Sequence, residues 1–186
     1  MKIEDGLKEL NFLDVKFAME FRRLSHFTPA GYDEAEFMIS TNPGEPVRPL
    51  GMVASGGELS RIMLAVKTVL AETDDIPTLI FDEIDTGISG RTAQMVSEKL
   101  RVIARSHQVI CITHLPQIAA MADSHFEIRK SVEEGRTTTT IRPLDREQMT
   151  EELARLLGGA EITETVRQNA REMKELADGK KGLAVR

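Results

Sequence analysis

The 186 residues are the length of one domain and enough to bury a real core. Their 24 basic and 30 acidic side chains leave a net charge of −6, which excludes a general nucleic-acid binder, because phosphate neutralisation needs clustered Lys and Arg. A single cysteine excludes a disulfide framework, no apolar run reaches membrane-spanning length, and the N-terminus lacks a signal-peptide pattern, so the expected compartment is the cytoplasm and no membrane partner is expected.

Residues 1–11 are charged, with Leu7 and Leu10 the only hint of a helix, and are compatible with the stump of a coiled coil. From Asp14 the pattern alternates, Val15, Phe17, Met19 and Phe21 sharing one face of a half-buried strand. Arg22 to Gly31 reads as a connection, and Ala35, Phe37 and Ile39 mark a second strand, antiparallel to the first. Asn42-Pro43-Gly44-Glu45-Pro46 then breaks the pattern.

Ser55-Gly56-Gly57-Glu58-Leu59-Ser60 opens a helix reaching about Glu72, with Leu59, Ile62, Met63, Val66, Val69 and Leu70 at helical spacing. Free N–H groups, the positive dipole end and the Ser55 hydroxyl converge there, which suits a phosphate or carboxylate; on these six residues alone a capped core helix is the favoured reading, since serine and glycine before an amphipathic helix are common N-terminal signals. Asp74-Asp75-Ile76-Pro77 turns the chain into Thr78-Leu79-Ile80-Phe81, a buried parallel strand ending in Asp82-Glu83, with Asp85 two residues on. Ligands of open α/β sheets sit beyond the carboxyl ends of strands. There Asp82 could hold Mg²⁺, directly or through water, and Glu83 could orient or deprotonate an attacking water; a strand ending in solvated acids is the plainer alternative.

Thr86-Gly87-Ile88-Ser89-Gly90 forms a tight loop, and Ser89 is placed to cap a helix burying Ala93, Val96, Leu100, Ile103 and Ala104. Val109 to Ile112 is the next strand, completing a βαβ unit and ending in Thr113-His114. His114 could meet a terminal phosphate or serve packing alone. Cys111 reads as a small buried side chain. Leu115 to Asp123 is a short helix, residues 125–130 and Thr137 to Ile141 form a hairpin across Glu133-Glu134-Gly135-Arg136, and two amphipathic helices follow, the first stopping at Gly158-Gly159 and the second before Gly179.

Val53 to Arg61 resembles an ABC-type signature motif, Thr78 to Glu83 its Walker B strand, Asp85 to Ser89 its D-loop and His114 its switch histidine. Order and spacing are similar to those of SMC-like ATPase heads, and the wording of Ile76 to Arg91 and His107 to Gln117 resembles the bacterial DNA-repair members of that group; the likeness runs from about Phe12 to the last helix. No segment matches G-x-x-x-x-G-K-[ST], the Walker A loop. The resemblance implies that this loop lies in an N-terminal lobe, separated by a long antiparallel coiled coil.

The expected fold is therefore α/β: a mixed, largely parallel sheet flanked by helices, the C-terminal lobe of a P-loop NTPase head of ABC type, with a small N-terminal antiparallel hairpin. Expected divisions are 1–11, the antiparallel region 12–50, the lobe 51–179 and a tail 180–186. The resemblance further implies ATP and Mg²⁺ as cofactors, with two heads sandwiching two nucleotides. Ser55, Gly56, Gly57, Glu58 and Asp85 would face the partner head's ATP. Asp82 would anchor Mg²⁺, Glu83 would handle the water and His114 the γ-phosphate of their own head's nucleotide. Implied partners are the Walker A lobe, a second head and, through the complete protein, DNA in double-strand break repair and recombination at the nucleoid. On this reading the chain alone is inactive. The alternative is a non-catalytic dimerisation or interaction module.

Overall fold

The computed structural model describes residues 2–12, 14–52, 55–71, 73, 75–133, 136–159 and 161–182. The chain forms two compact units, Met1–Ile112 and Thr113–Arg186.

The first unit starts with α1 (Lys2–Glu9), which packs on α2 (Gly56–Leu70) and buries Leu7. Strands β1 (Lys16–Thr28) and β2 (Gly31–Ser40) pair antiparallel, Phe17 opposite Ile39 and Arg22 opposite Glu34. Both strands continue through most of the stretch expected as a connection, and the turn is confined to Pro29-Ala30. Phe17 and Ile39 are buried, but Met19 and Phe21 are exposed: between Ala18 and Arg23, and between Asp33 and Glu36, neither face of the hairpin is covered. Alternation there sets side-chain direction without burial. A short β3 (Arg48–Pro49) adds to β2.

A 3₁₀ turn (Leu50–Met52) precedes α2. Then β4 (Thr78–Phe81), α3 (Gly90–Ile103) and β5 (Gln108–Cys111) make the βαβ unit, with β4 and β5 parallel and Phe81 opposite Cys111. Leu79 and Phe81 are buried, whereas Ile80 is 68% and its register partner Ile110 45% exposed. Ser89 stands at the N-cap of α3 but makes no side-chain cap bond.

In the second unit, α4 (Pro116–Ala120) leads to an antiparallel hairpin of β6 (His125–Glu133) and β7 (Arg136–Leu144), then α5 (Arg146–Gly158) and α6 (Glu164–Gly182). The threonine run lies in β7, as expected of a branched side chain that favours strands. The turn pair Glu134-Gly135, like the tail from Leu183, lies outside the described residues. Asp145 and Gln148 cap α5 reciprocally, and Gly159, with φ of +65°, ends it. Gly179 is not among the positive-φ glycines, and α6 runs through it to Gly182 rather than stopping. Ala119, Ala120, Leu153, Ala154, Ala170 and Ala177 form the core of this unit. Lys174 tethers α6 to the end of α4, its Nζ donating to Ala120 O at 3.2 Å and Ala122 O at 3.0 Å.

The expectation of a largely parallel sheet is corrected. Among the described residues parallel pairing is confined to β4 and β5, and the other two sheets are antiparallel. The reason is connectivity: β1–β2 and β6–β7 are hairpins, which pair antiparallel, and only the β4–α3–β5 crossover returns a strand in the same direction.

Glu127 is buried on β6 and accepts from Arg142 Nε and Arg129 Nε, each at 2.5 Å. The Arg142 bond above all, with that of Arg129, holds its carboxyl below the ordinary 4.5 against the upward push of burial. A carboxyl depressed in the folded state binds its proton more readily once unfolded, so its contribution is complete above the ordinary value and lost as pH falls through the folded one. Urea denaturation of the second unit should therefore show a midpoint that declines as pH drops below 4.5, and Glu127→Gln should flatten that decline.

Candidate functional site

The first turn of α2 and the turn that follows β4 form one structure. Ser55 has extended backbone angles at the N-cap, and its Oγ accepts from Glu58 N at 3.4 Å. Val53 and Ala54, the start of the signature-like stretch, lie outside the described residues. One turn on, Ser60 Oγ donates to Asp82 O at 2.8 Å. Arg61, buried, donates through Nη1 to Thr86 O at 2.8 Å and Ile84 O at 3.4 Å. Burial pushes its pKa down and the nearby Glu58 offsets part of that.

The two glycines differ in what they permit. A Cβ on Gly57 would stand 2.9 Å from Thr86 Cβ and 3.0 Å from the backbone oxygens of both Glu83 and Thr86, so the close approach of helix and turn needs glycine here. A Cβ on Gly56 would collide with Glu83 Oε2, the end of a flexible side chain. The Glu83 carboxylate thus lies against the first residue of α2.

The acid turn is tight. Asp82 Oδ1 accepts from Glu83 N at 2.9 Å, and Thr86 N donates to Glu83 O at 3.0 Å. Glu83 has φ of +56°, a left-handed conformation uncommon outside glycine, and its strain is sustained by these bonds and by the contact with Gly57. Asp82 and Glu83 are exposed; Asp85 is 4% exposed. Burial, then the charges of Asp85 and Asp82, pushes the half-buried Cys111 thiol up to about 12, which disfavours the thiolate.

Of the residues singled out in the sequence, Ser55, Gly56, Gly57, Asp82, Glu83 and Asp85 are gathered at one end of α2, all in the first unit. Glu58 is half-buried and lines a cavity of about 240 Å³ with Ser40, Asn42, Arg48 and Met52. His114 is exposed, follows β5 and belongs to the second unit. A larger cavity of about 450 Å³, in the second unit around Glu127, Arg142 and Arg155, contains none of them. No group of three His, Cys, Asp or Glu side chains able to hold a metal occurs among the described residues. Asp82 is exposed and uses Oδ1 for the Glu83 N bond, and Mg²⁺ bound with a nucleotide commonly takes only one or two carboxylates, the rest being water and phosphate oxygen. The donor set fits that mode.

The buried stripe of α2 runs through Gly57, Arg61, Ile62, Leu64, Ala65 and Val66, leaving Leu59, Val69 and Leu70 exposed. Arg61 is the residue that reading the sequence overlooked. Its signal is positional: it lies four residues after Gly57 and four before Ala65, on the face the glycine defines.

Over 179 residues the chain is 48% identical to the DNA repair protein RecN of Halalkalibacterium halodurans, covering 94% of this chain and 32% of the relative. By sequence the chain is RecN-like. RecN of Vibrio cholerae is 46% identical over 172 residues, 92% of this chain and 31% of the relative. This RecN-like chain thus spans about a third of the length of the curated relatives it matches. No family model matches it. Among solved structures, an Smc head domain with a coiled coil and joint from Pyrococcus yayanosii aligns with a TM-score of 0.53 at 22% identity, covering 82% of this chain and 28% of that one. An Smc head domain from Pyrococcus furiosus aligns at 0.50 and 21% identity, over 82% and 37%. The fold of the RecN-like chain is similar to that of part of these Smc head domains.

If Gly57 is the close-approach residue, Gly57→Ala should lower the stability of the first unit by about 1–3 kcal/mol, as overpacking against backbone does, while Gly56→Ala should be near neutral because Glu83 can swing aside. Chemical denaturation of the two variants beside the parent checks the contrast; equal losses would remove the special role of Gly57.

Proposed function

We propose that this chain is the C-terminal lobe of a RecN-like ATPase head, supplying signature and Walker B residues for ATP hydrolysis in DNA double-strand break repair and recombination. The observation that carries the reading is the junction itself: a helix N-terminus and an acidic strand end are locked together by Ser60, Arg61 and Gly57, in a chain that lacks a Walker A loop. Hydrolysis of a phosphoanhydride needs charge neutralisation, a positioned water and donors to the phosphates, and the first lobe's loop would add the last of these.

In this reading Asp82 helps hold Mg²⁺, which supplies charge neutralisation when it arrives with ATP. Glu83 orients the attacking water, and His114 meets the terminal phosphate of the same head. Ser55, Gly56, Gly57, Glu58 and Asp85 face the nucleotide of a second head, and DNA is engaged through the complete protein, in the cytoplasm at the nucleoid. The divisions 12–50 and 51–179 are retained as functional ones, the second including His114.

The exposed face of β4 and β5 supports a missing lobe. Sheets with parallel strands are ordinarily covered on both faces, yet Ile80, Ile110 and Ile112 are open on one. Elements of the Walker A lobe would pack on the pair and cover those isoleucines.

Calorimetric titration of this chain with Mg-ATP to millimolar concentration should give no binding heat. Stoichiometric Mg²⁺-dependent binding would instead reveal a phosphate cradle within it. In the complete protein, Glu83→Gln should retain ATP and trap the closed dimer, with turnover reduced on the order of a hundredfold or more; unchanged turnover removes Glu83 from its role. Ser55→Arg should abolish ATP-dependent head association in analytical ultracentrifugation, and a dimer forming as before would refute that contact. Nucleotide-independent association without hydrolysis would favour the interaction module.

A further inference from the structure

Arg61 is 7% exposed, yet it has no ion pair among the described residues, and its Nε has no hydrogen-bond partner. A buried charge is unfavourable unless its surroundings use it, and methionine would fill the same space at less cost in desolvation. What Arg61 does make is specific. Nη1 reaches Ile84 O and Thr86 O, the two carbonyls that flank Asp85, and its Cζ lies 5.6 Å from the centroid of Phe12, in the segment between α1 and β1. The guanidinium is therefore held by an aromatic face on one side and aimed at a strained turn on the other.

We propose that Arg61 is the positioning residue of the acid turn, fixing Glu83 and Asp85 relative to the first turn of α2 by clamping the carbonyls of Ile84 and Thr86. Glu83 keeps its left-handed backbone only while the neighbouring residues are over-determined. Gly57 supplies the space for that turn and Arg61 the donors. Without the donors, two carbonyls near the end of β4 lose their partner, and the turn can relax toward an ordinary conformation that re-aims the Glu83 carboxylate. The catalytic consequence rests on Glu83 and Asp85 belonging to an ATPase site, whereas the clamp itself does not.

Two measurements separate these levels. In this chain, hydrogen exchange at the amides of Thr86 and Ile88, which bond to Glu83 O and Asp85 O, should accelerate roughly tenfold or more in Arg61→Met, with little change at Leu64 to Val66 in the middle of α2. Arg61→Lys, which keeps one donor group, should recover part of the protection. Unchanged exchange in the turn, or acceleration spread evenly over the unit, overturns the clamp. In the complete protein Arg61→Met should lower kcat on the order of tenfold to a hundredfold, the cost of a small misplacement, with KM for ATP within about twofold of the parent. Unchanged kcat, or kcat and KM worsening in step with the melting temperature and without rescue by lysine, overturns the positioning role. Glu83→Gln serves as the reference: parental turnover in that variant would discard the ATPase reading while leaving the exchange result to decide the clamp.

Discussion

The close approach of Gly57 to the carbonyls of Glu83 and Thr86 sets the geometry of the first unit. Those backbone atoms would stand 3.0 Å from any Cβ at that position, and there is no flexible side chain to move aside. Because α2 can come this near, Ser60 reaches Asp82 O and Arg61 reaches the carbonyls on either side of Asp85. A helix displaced by the thickness of a methyl group would lose both sets of bonds together. The glycine contributes no contact of its own; it permits all the others.

That arrangement also answers an electrostatic problem. Asp82, Glu83 and Asp85 crowd into one turn, and their mutual repulsion must be met by something positive. The α2 N-terminus lies against the Glu83 carboxylate, the Glu83 N–H binds Asp82 Oδ1, and Arg61 is placed at the carbonyls around Asp85. The half-buried Cys111 thiol has its pKa raised by desolvation first, and the charges of Asp85 and Asp82 add to the rise. On the proposed reading, such a combination of acids with oriented donors would suit a polyphosphate that arrives with a divalent cation.

Much of this is legible in the amino-acid sequence. Ser55-Gly56-Gly57 announces a helix start, an apolar run ending in Asp82-Glu83 announces a strand end, and the Gly87 and Gly90 positions announce a loop, since each depends on local chemistry that a few residues specify. The partnership between strands is not, because pairing depends on which segments are present to pair. A strand such as β4 reads as buried on both faces whether or not its neighbours lie in the same stretch of chain, and Ile80 reads as core although it is exposed. Arg61 escaped for a different reason. A charged residue in an apolar helix is ordinarily counted to the solvent side, and only the carbonyls of a turn more than twenty residues away give it a place inside.

The exposed isoleucines and the absent phosphate loop have a common explanation on the proposed reading. An α/β sheet open on one face leaves apolar surface in water, at roughly 25 cal/mol for each Å² left uncovered, so a segment that covered Ile80, Ile110 and Ile112 would gain stability in proportion to the area it hid. If the same segment carried the Walker A loop, the folding energy of the complete head would be coupled to the assembly of its site. The acid turn would then be prepared in one lobe by Gly57 and Arg61, independently of nucleotide, and completed by the other lobe. Such a division would place the strained, closely packed elements in this chain and leave the phosphate-binding backbone to its partner, so that on the proposed reading neither half would hydrolyse ATP alone, although the acid turn is held by contacts within this chain.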